Sequence, residues 1–91
     1  MSAFAKLLDL LNKLDDAHIS FDVKHVRAET VMVLVHLPAE YWEVEFFENG
    51  QVEIEIYTSL NGVVGGEELL GWLFDDSSDA EQRARFFAAI S

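Results

Sequence analysis

The feature that most constrains this chain is the segment from Tyr41 to Tyr57, in which apolar and acidic residues alternate on both sides of Asn49-Gly50. Strict alternation is typical of a β-strand with one buried face, because successive side chains point to opposite faces of a sheet. An Asn-Gly pair between two such runs favours a hairpin turn. The segment therefore predicts two antiparallel strands with one apolar face and one face of carboxylates.

The length of the hairpin loop decides which residues of the two strands are opposed. Directly opposed residues of an antiparallel pair lie on the same face of the sheet. A two-residue Asn-Gly loop would place Phe46 opposite Glu53, which mixes a core residue with a charge. A three-residue loop over 48–50 places Phe46 opposite Val52 and requires a left-handed backbone at Gly50, the arrangement called a G1 bulge. We therefore predict the three-residue loop.

The chain of 91 residues predicts one α+β domain, residues 1–91, with the element order αββββαα. Helical spacing of the leucines after a Ser2 cap predicts an N-terminal helix, and a capping box at Ser78 predicts a C-terminal helix. The glycines around 62–66 are interpreted as a break between the last strand and a short helix. The predicted helices run from 2 to about 16, over 67–74 and over 78–90; the predicted strands are 19–26, 30–37 and the two hairpin arms.

These strands predict a four-stranded antiparallel meander in the order 1-2-3-4, with the helices packed on the face of Trp42, Val44 and Phe46. A four-residue loop over 38–41 would pair Leu37 with Trp42 and Val35 with Val44. The opposite face then carries the candidate residues for binding a partner: Met32, Leu34, His36, Glu43, Glu45, Phe47, Glu53 and Glu55.

Besides simple solvation, three functional interpretations of this acidic face remain open from the sequence. Its glutamates either keep the sheet solvated or form a docking patch for a basic protein, and the neighbouring Met32, Leu34 and Phe47 favour docking because solvation does not require apolar groups. The same apolar strip would alternatively be buried in a homodimer of a structural or adaptor domain. A metal-binding or hydrolytic site made by His36 with Glu43 and Glu55 is the third interpretation.

The charge of the chain limits its partners. Six basic residues against 17 acidic residues give a net charge of −11, and there are no cysteines. Such a charge repels nucleic acid and anionic membranes and favours basic protein partners, although an acid excess is also typical of proteins from salt-loving sources. The absence of cysteine excludes disulfides and thiolate zinc sites. We expect a cytoplasmic, non-enzymatic protein without a cofactor, since no signal-peptide pattern or catalytic motif is found.

Part of the chain is similar to a pattern found in small uncharacterised bacterial proteins. The similarity rests on Trp42–Phe46, Gly50, Val52–Glu55 and Gly65–Leu70 and covers residues 41–74. Some of those proteins resemble immunity or antitoxin partners of secreted and interbacterial toxins. The resemblance implies a binding role rather than catalysis, and it transfers no functional residue. An acidic surface suits that role, because nuclease toxins are usually basic.

Overall fold

The computed structural model describes residues 2–58 and 62–74 of the chain. Helix α1 spans Ala3–Asp16, and a 3-10 turn at Glu67–Leu69 leads into a short helix α2 at Leu70–Leu73. The strands are β1 Ser20–Lys24, β2 Thr30–His36, β3 Glu40–Phe47, β4 Val52–Thr58 and β5 Gly62–Gly66. They form one antiparallel sheet in the order β1-β2-β3-β4-β5, which confirms the α+β class. The helix predicted over 78–90 lies outside the described residues.

Helix α1 begins where the sequence predicts. The Ser2 hydroxyl oxygen accepts a hydrogen bond from the backbone N–H of Ala5 at 3.1 Å, which satisfies one of the unpaired amides of the first turn. Leu10 and Leu14 are fully buried against the sheet. The helix ends at Asp16, and His18 then adopts a left-handed backbone with φ of 57°, which turns the chain toward β1.

The hairpin between β3 and β4 has the predicted three-residue loop. Gly50 has a φ of 91°, and its N–H donates to the carbonyl of Phe47 at 2.9 Å. The Phe47 N–H in turn donates to the carbonyl of Gln51 at 2.9 Å, so that Phe46 pairs with Val52. The apolar and acidic faces of this hairpin are therefore those that the alternation predicts.

The prediction of four strands was wrong, because the glycine-rich segment 62–66 forms a fifth strand on the free edge of β4. Its pairing runs from Tyr57 with Gly62 to Glu53 with Gly66. Strand pairing uses backbone groups, which glycine supplies as well as any residue. Gly65 also lies beneath the 3-10 turn, where a Cβ would stand 2.7 Å from Leu69 Cδ1. A glycine in this strand thus allows the turn to approach the sheet closely.

The predicted register between β2 and β3 was also wrong, by two residues. Val35 pairs with Trp42 and Val33 with Val44, whereas the predicted partner of Val35 was Val44. The connection is tighter than expected: His36 pairs with Tyr41, and the Leu37 N–H donates to the carbonyl of Glu40 at 3.0 Å. A two-residue shift keeps every side chain on its face, so the hydrophobic pattern is satisfied by either register.

The core lies between one face of the sheet, called the inner face, and the two helices. Trp42 is fully buried at its centre, and its indole N–H donates to Glu40 Oε1 at 2.8 Å. The burial of these side chains confirms that the face of Trp42, Val44 and Phe46 is the packed one. The buried apolar residues are Leu10, Leu14, Val33, Val35, Trp42, Val44, Phe46, Val52, Ile54, Ile56, Leu69 and Leu73.

Candidate functional site

The outer face of the sheet points away from α1 and holds most of the predicted contact residues in three rows that cross the strands. The row nearest the β2–β3 turn holds three rings, and each of the other two rows carries a pair of directly opposed glutamates. The first row is Ser20, His36, Tyr41, Tyr57 and Gly62; the second is Asp22, Leu34, Glu43, Glu55 and Val64; the third is Lys24, Met32, Glu45, Glu53 and Gly66.

His36, Tyr41 and Tyr57 form what we call the aromatic row, because the backbone pairs them side by side on β2, β3 and β4. The ring centroids of His36 and Tyr41 are 5.5 Å apart. The rings of Tyr41 and Tyr57 are stacked, with their centroids 5.8 Å apart and their planes 30° apart. These spacings are those of attractive aromatic pairs. This row is not predicted by the sequence pattern, because the predicted register, wrong by two residues, places Glu43 where Tyr41 stands.

Glu43 connects the aromatic row to the acidic row beneath it. Its two carboxylate oxygens accept hydrogen bonds from the phenols of Tyr41, at 3.3 Å, and Tyr57, at 3.4 Å. Burial, followed by the charge of Glu43, raises the pKa of Tyr41. A hydrogen bond to Glu55, followed by burial and the charge of Glu43, raises the pKa of Tyr57 to about 12. Both phenols are therefore kept protonated as donors to carboxylates.

His36 does not form the predicted constellation with Glu43 and Glu55. Its Nε2 lies 3.0 Å from Asp22 Oδ2 on β1, and its ring lies against Tyr41. Within residues 2–58 and 62–74, no group of three or more His, Cys, Asp or Glu side chains is arranged to hold a metal ion. In the register that the sheet adopts, His36 therefore does not share a row with Glu43 and Glu55, as the predicted metal-binding or hydrolytic site would require.

Glu45 lies on the outer face as predicted, but it is not a solvated carboxylate. Only 5% of Glu45 is exposed, and its carboxylate accepts from Thr30 Oγ1 at 2.8 Å and from Arg27 Nη2 at 3.2 Å. The same guanidinium covers the ring of Phe47, with Cζ 5.8 Å from the ring centroid. Arg27 belongs to the β1–β2 loop, which has no periodic pattern, so no sequence signal marked its position.

The apolar residues of the candidate patch are less exposed than expected. Met32, Leu34 and Phe47 are all half-buried. The large apolar groups that reach solvent on this face are instead Tyr57, with 41% of its surface exposed, and Val64, with 78%. Both lie at the β4–β5 side of the sheet, next to Glu43 and Glu55. The exposed apolar groups of the outer face therefore lie beside the half-buried Glu43 and Glu55.

A groove of about 510 Å³ lies on the other side of the molecule, between α1 and α2. Its walls include Leu10, Phe46 and Leu70. Two lysines on its rim are paired with carboxylates, Lys6 with Glu67 at 2.6 Å and Lys13 with Asp9 at 3.0 Å. The groove is thus mainly apolar, and its chemistry differs from that of the outer face.

Comparisons with protein-family models, with curated proteins and with solved structures gave no match to this chain. No helix in the described part of the chain combines the length and the apolar character needed to cross a membrane.

Proposed function

We propose that this protein is a non-catalytic, acidic protein-binding module that recognises a basic protein through the outer face, in the manner of an immunity or antitoxin inhibitor. The observation that carries the proposal is the gathering of Glu43, Glu53 and Glu55 on the face opposite the core, beside the exposed Tyr57 and Val64. Protein-binding surfaces combine aromatic anchors with surrounding polar groups in this way.

The electrostatic cost of this arrangement supports a binding role. Glu43 is directly opposite Glu55, and Glu45 is directly opposite Glu53. Like charges in directly opposed positions destabilise a strand pair, by up to about 1 kcal/mol. Within the described part of the chain, the ion pair made by these four glutamates is that of Arg27 with Glu45. A basic partner would offset the charge of the other three, and the net charge of −11 would speed its approach.

The contacts of the titratable groups favour binding over catalysis. Glu43 is held by two phenols and His36 by Asp22, so neither is directed at a shared reaction centre. A general acid and a general base must both lie within hydrogen-bonding distance of the reacting atoms of one substrate. Their environments must also separate their pKa values. The arrangement suits a preformed, rigid surface.

The test is capture of a partner followed by kinetics on the purified complex. Tagged protein is incubated with native lysate at low and high salt, and the captured protein is purified and measured for association and dissociation rates. We expect the double variant Glu53→Gln/Glu55→Gln to slow association and to flatten its salt dependence. The matched control is Asp15→Asn/Asp16→Asn, which removes the same charge from exposed positions of α1.

Equal slowing by the two double variants would mean that only net charge matters, and the outer face would be excluded as the binding surface. Sedimentation of the protein alone tests the alternative of self-association. If the protein alone forms a dimer and Val64→Asp abolishes it, the partner of the outer face is a second copy of this chain and not a basic protein.

A further inference from the structure

The contact between Arg27 and the outer face shows how this surface holds a cationic side chain. The guanidinium is paired with the Glu45 carboxylate at 3.2 Å and lies over the Phe47 ring at 5.8 Å. A carboxylate beside an aromatic ring gives arginine both an ion pair and a stacking surface. The chain's own arginine thus occupies one carboxylate–aromatic unit of the outer face.

A second unit of the same chemistry lies at the β4–β5 side of the face. Tyr57 and Glu55 are neighbours on the same face of β4, and Glu43 accepts a hydrogen bond from the Tyr57 phenol at 3.4 Å. The residue of β5 that pairs with Tyr57 is Gly62, which brings no side chain to that end of the aromatic row. Next to it, Val64 pairs with Glu55 and is 78% exposed. Because glycine has no side chain, the position beside Tyr57, which we call the notch, is bordered by a ring, carboxylates and an apolar side chain.

We propose that this notch binds one arginine side chain of the basic partner, with the guanidinium stacked on Tyr57 and paired with Glu55. The proposal rests on the proposed function and deepens it, because it names the chemical group that is recognised and its position. The aliphatic part of the arginine would lie on Val64, as long cationic side chains commonly do on apolar surfaces. The partner's arginine would then make the same two contacts that Arg27 makes within the chain, an ion pair with a carboxylate and a stacking contact with an aromatic ring.

Arginine is favoured over lysine by the two kinds of group that border the notch. A guanidinium is planar, so it stacks on a ring while its edge donates to a carboxylate, whereas an ammonium is a compact and strongly hydrated charge. The notch offers both surfaces side by side, since Tyr57 and Glu55 are two residues apart on the same face of β4. Recognition should therefore depend on the ring as well as on the charge.

The experiment compares two short capped peptides of equal length and charge, oligoarginine and oligolysine, titrated into the isotopically labelled protein at one salt concentration. Backbone amide shifts locate the binding, and their concentration dependence gives Kd. We expect the largest shifts at Tyr57 and Glu55 and an affinity for oligoarginine about threefold or more above that for oligolysine. Replacing Tyr57→Leu should weaken oligoarginine binding about fivefold, the factor that corresponds to an exposed cation–π contact. Tyr57→Phe, which keeps the ring, should retain most of the binding.

A pair of charge-matched variants separates the notch from general attraction. Glu55→Gln removes a carboxylate of the notch, and Glu48→Gln removes an exposed one at the β3–β4 loop. Equal losses in these two variants, or equal affinity for the two peptides, would overturn the proposal. Tyr57→Phe also controls for unfolding, because it keeps the aromatic ring. If this variant keeps the native spectrum but loses as much oligoarginine binding as Tyr57→Leu, the ring is not the contact.

The same variants distinguish this inference from the proposed function. If Glu53→Gln weakens binding of the captured partner but Tyr57→Leu and Glu55→Gln do not, the arginine site at the notch is disproved and the acidic face remains the binding surface. If binding of that partner is unaffected by all of these changes, both proposals fail.

Discussion

The guanidinium of Arg27 lies 3.2 Å from the carboxylate of Glu45, a buried group on the face of the sheet that points away from the helices. Thr30 donates a second hydrogen bond to this carboxylate at 2.8 Å. Glu45 is thus a structural residue that attaches the β1–β2 loop to the outer face. Our proposal therefore assigns the contact with a partner to the carboxylates of Glu43, Glu53 and Glu55.

The first prediction concerns this pair. Arg27→Met should lower the free energy of unfolding by about 1–2 kcal/mol, because the buried Glu45 carboxylate loses its cationic partner. The loss is not larger because the Arg27 side chain is half exposed to water. Urea denaturation measures the change. Lys24→Met, at an exposed position of β1, is the control and should stay within about 0.5 kcal/mol of the wild type. Indistinguishable losses for the two variants would show that the pair contributes nothing specific.

The second prediction concerns the hairpin loop. Gly50→Val should destabilise the fold by about 1–2 kcal/mol, because a β-branched residue poorly tolerates the φ of 91° found there. No atom lies within 4 Å of the position of an added Cβ, so the cost is conformational rather than steric. Gly50→Asn should cost less, since asparagine adopts left-handed backbone more readily. A Val variant as stable as the Asn variant in urea melts would argue against the bulge.

The third prediction concerns the core beneath β3. Phe46 is 4% exposed on the inner face, whereas Phe4 on α1 is 67% exposed. Phe46→Ala should cost about 3–5 kcal/mol, through lost burial and the cavity that remains. Phe4→Ala serves as the matched control and should change stability by less than about 1 kcal/mol. Similar denaturation midpoints for the two variants would show that the inner face is assigned incorrectly.

The fourth prediction concerns alkaline pH. Tyr41 and Tyr57 are the chain's two tyrosines, so tyrosinate absorbance reports on the aromatic row alone. A raised pKa means that the folded protein holds these protons more tightly than the unfolded chain, whose tyrosines titrate near 10. The resulting stabilisation is complete below about pH 10 and is lost as the pH rises toward about 12, the pKa of Tyr57.

Two variants assign this titration to its cause. Glu55→Gln should bring the pKa of Tyr57 down toward 10, because Glu55 makes the largest contribution to the shift. Glu48→Gln changes the same charge at the distant hairpin loop and should leave the titration nearly unchanged. Tyr41→Phe leaves one tyrosine to be observed. If adding Glu55→Gln to this variant leaves the titration of Tyr57 unchanged, the contact between the Tyr57 phenol and the carboxylates is contradicted.

The sequence by itself determined on which face of the sheet each side chain of the central strands lies. Side chains alternate with a period of two, so a slip of one residue would move Phe46 and Val44 to the solvent and the glutamates to the core. The three-residue loop with Gly50 follows from the same rule, and the cap at Ser2 follows from the unpaired amides of a helix start. These features were predictable because each depends on residues close together in the chain.

The tertiary structure alone decided the aromatic row, the fifth strand and the Arg27 contact of the candidate site. A shift of two residues between β2 and β3 leaves the hydrophobic pattern intact, so the turn at Leu37–Glu40 had to select the register that sets Tyr41 beside His36. β5 forms because the edge of β4 offers backbone groups to glycines that have no strand pattern of their own. Arg27 reaches Glu45 across 18 positions of sequence, a contact that depends on the path of a loop and on no local periodicity.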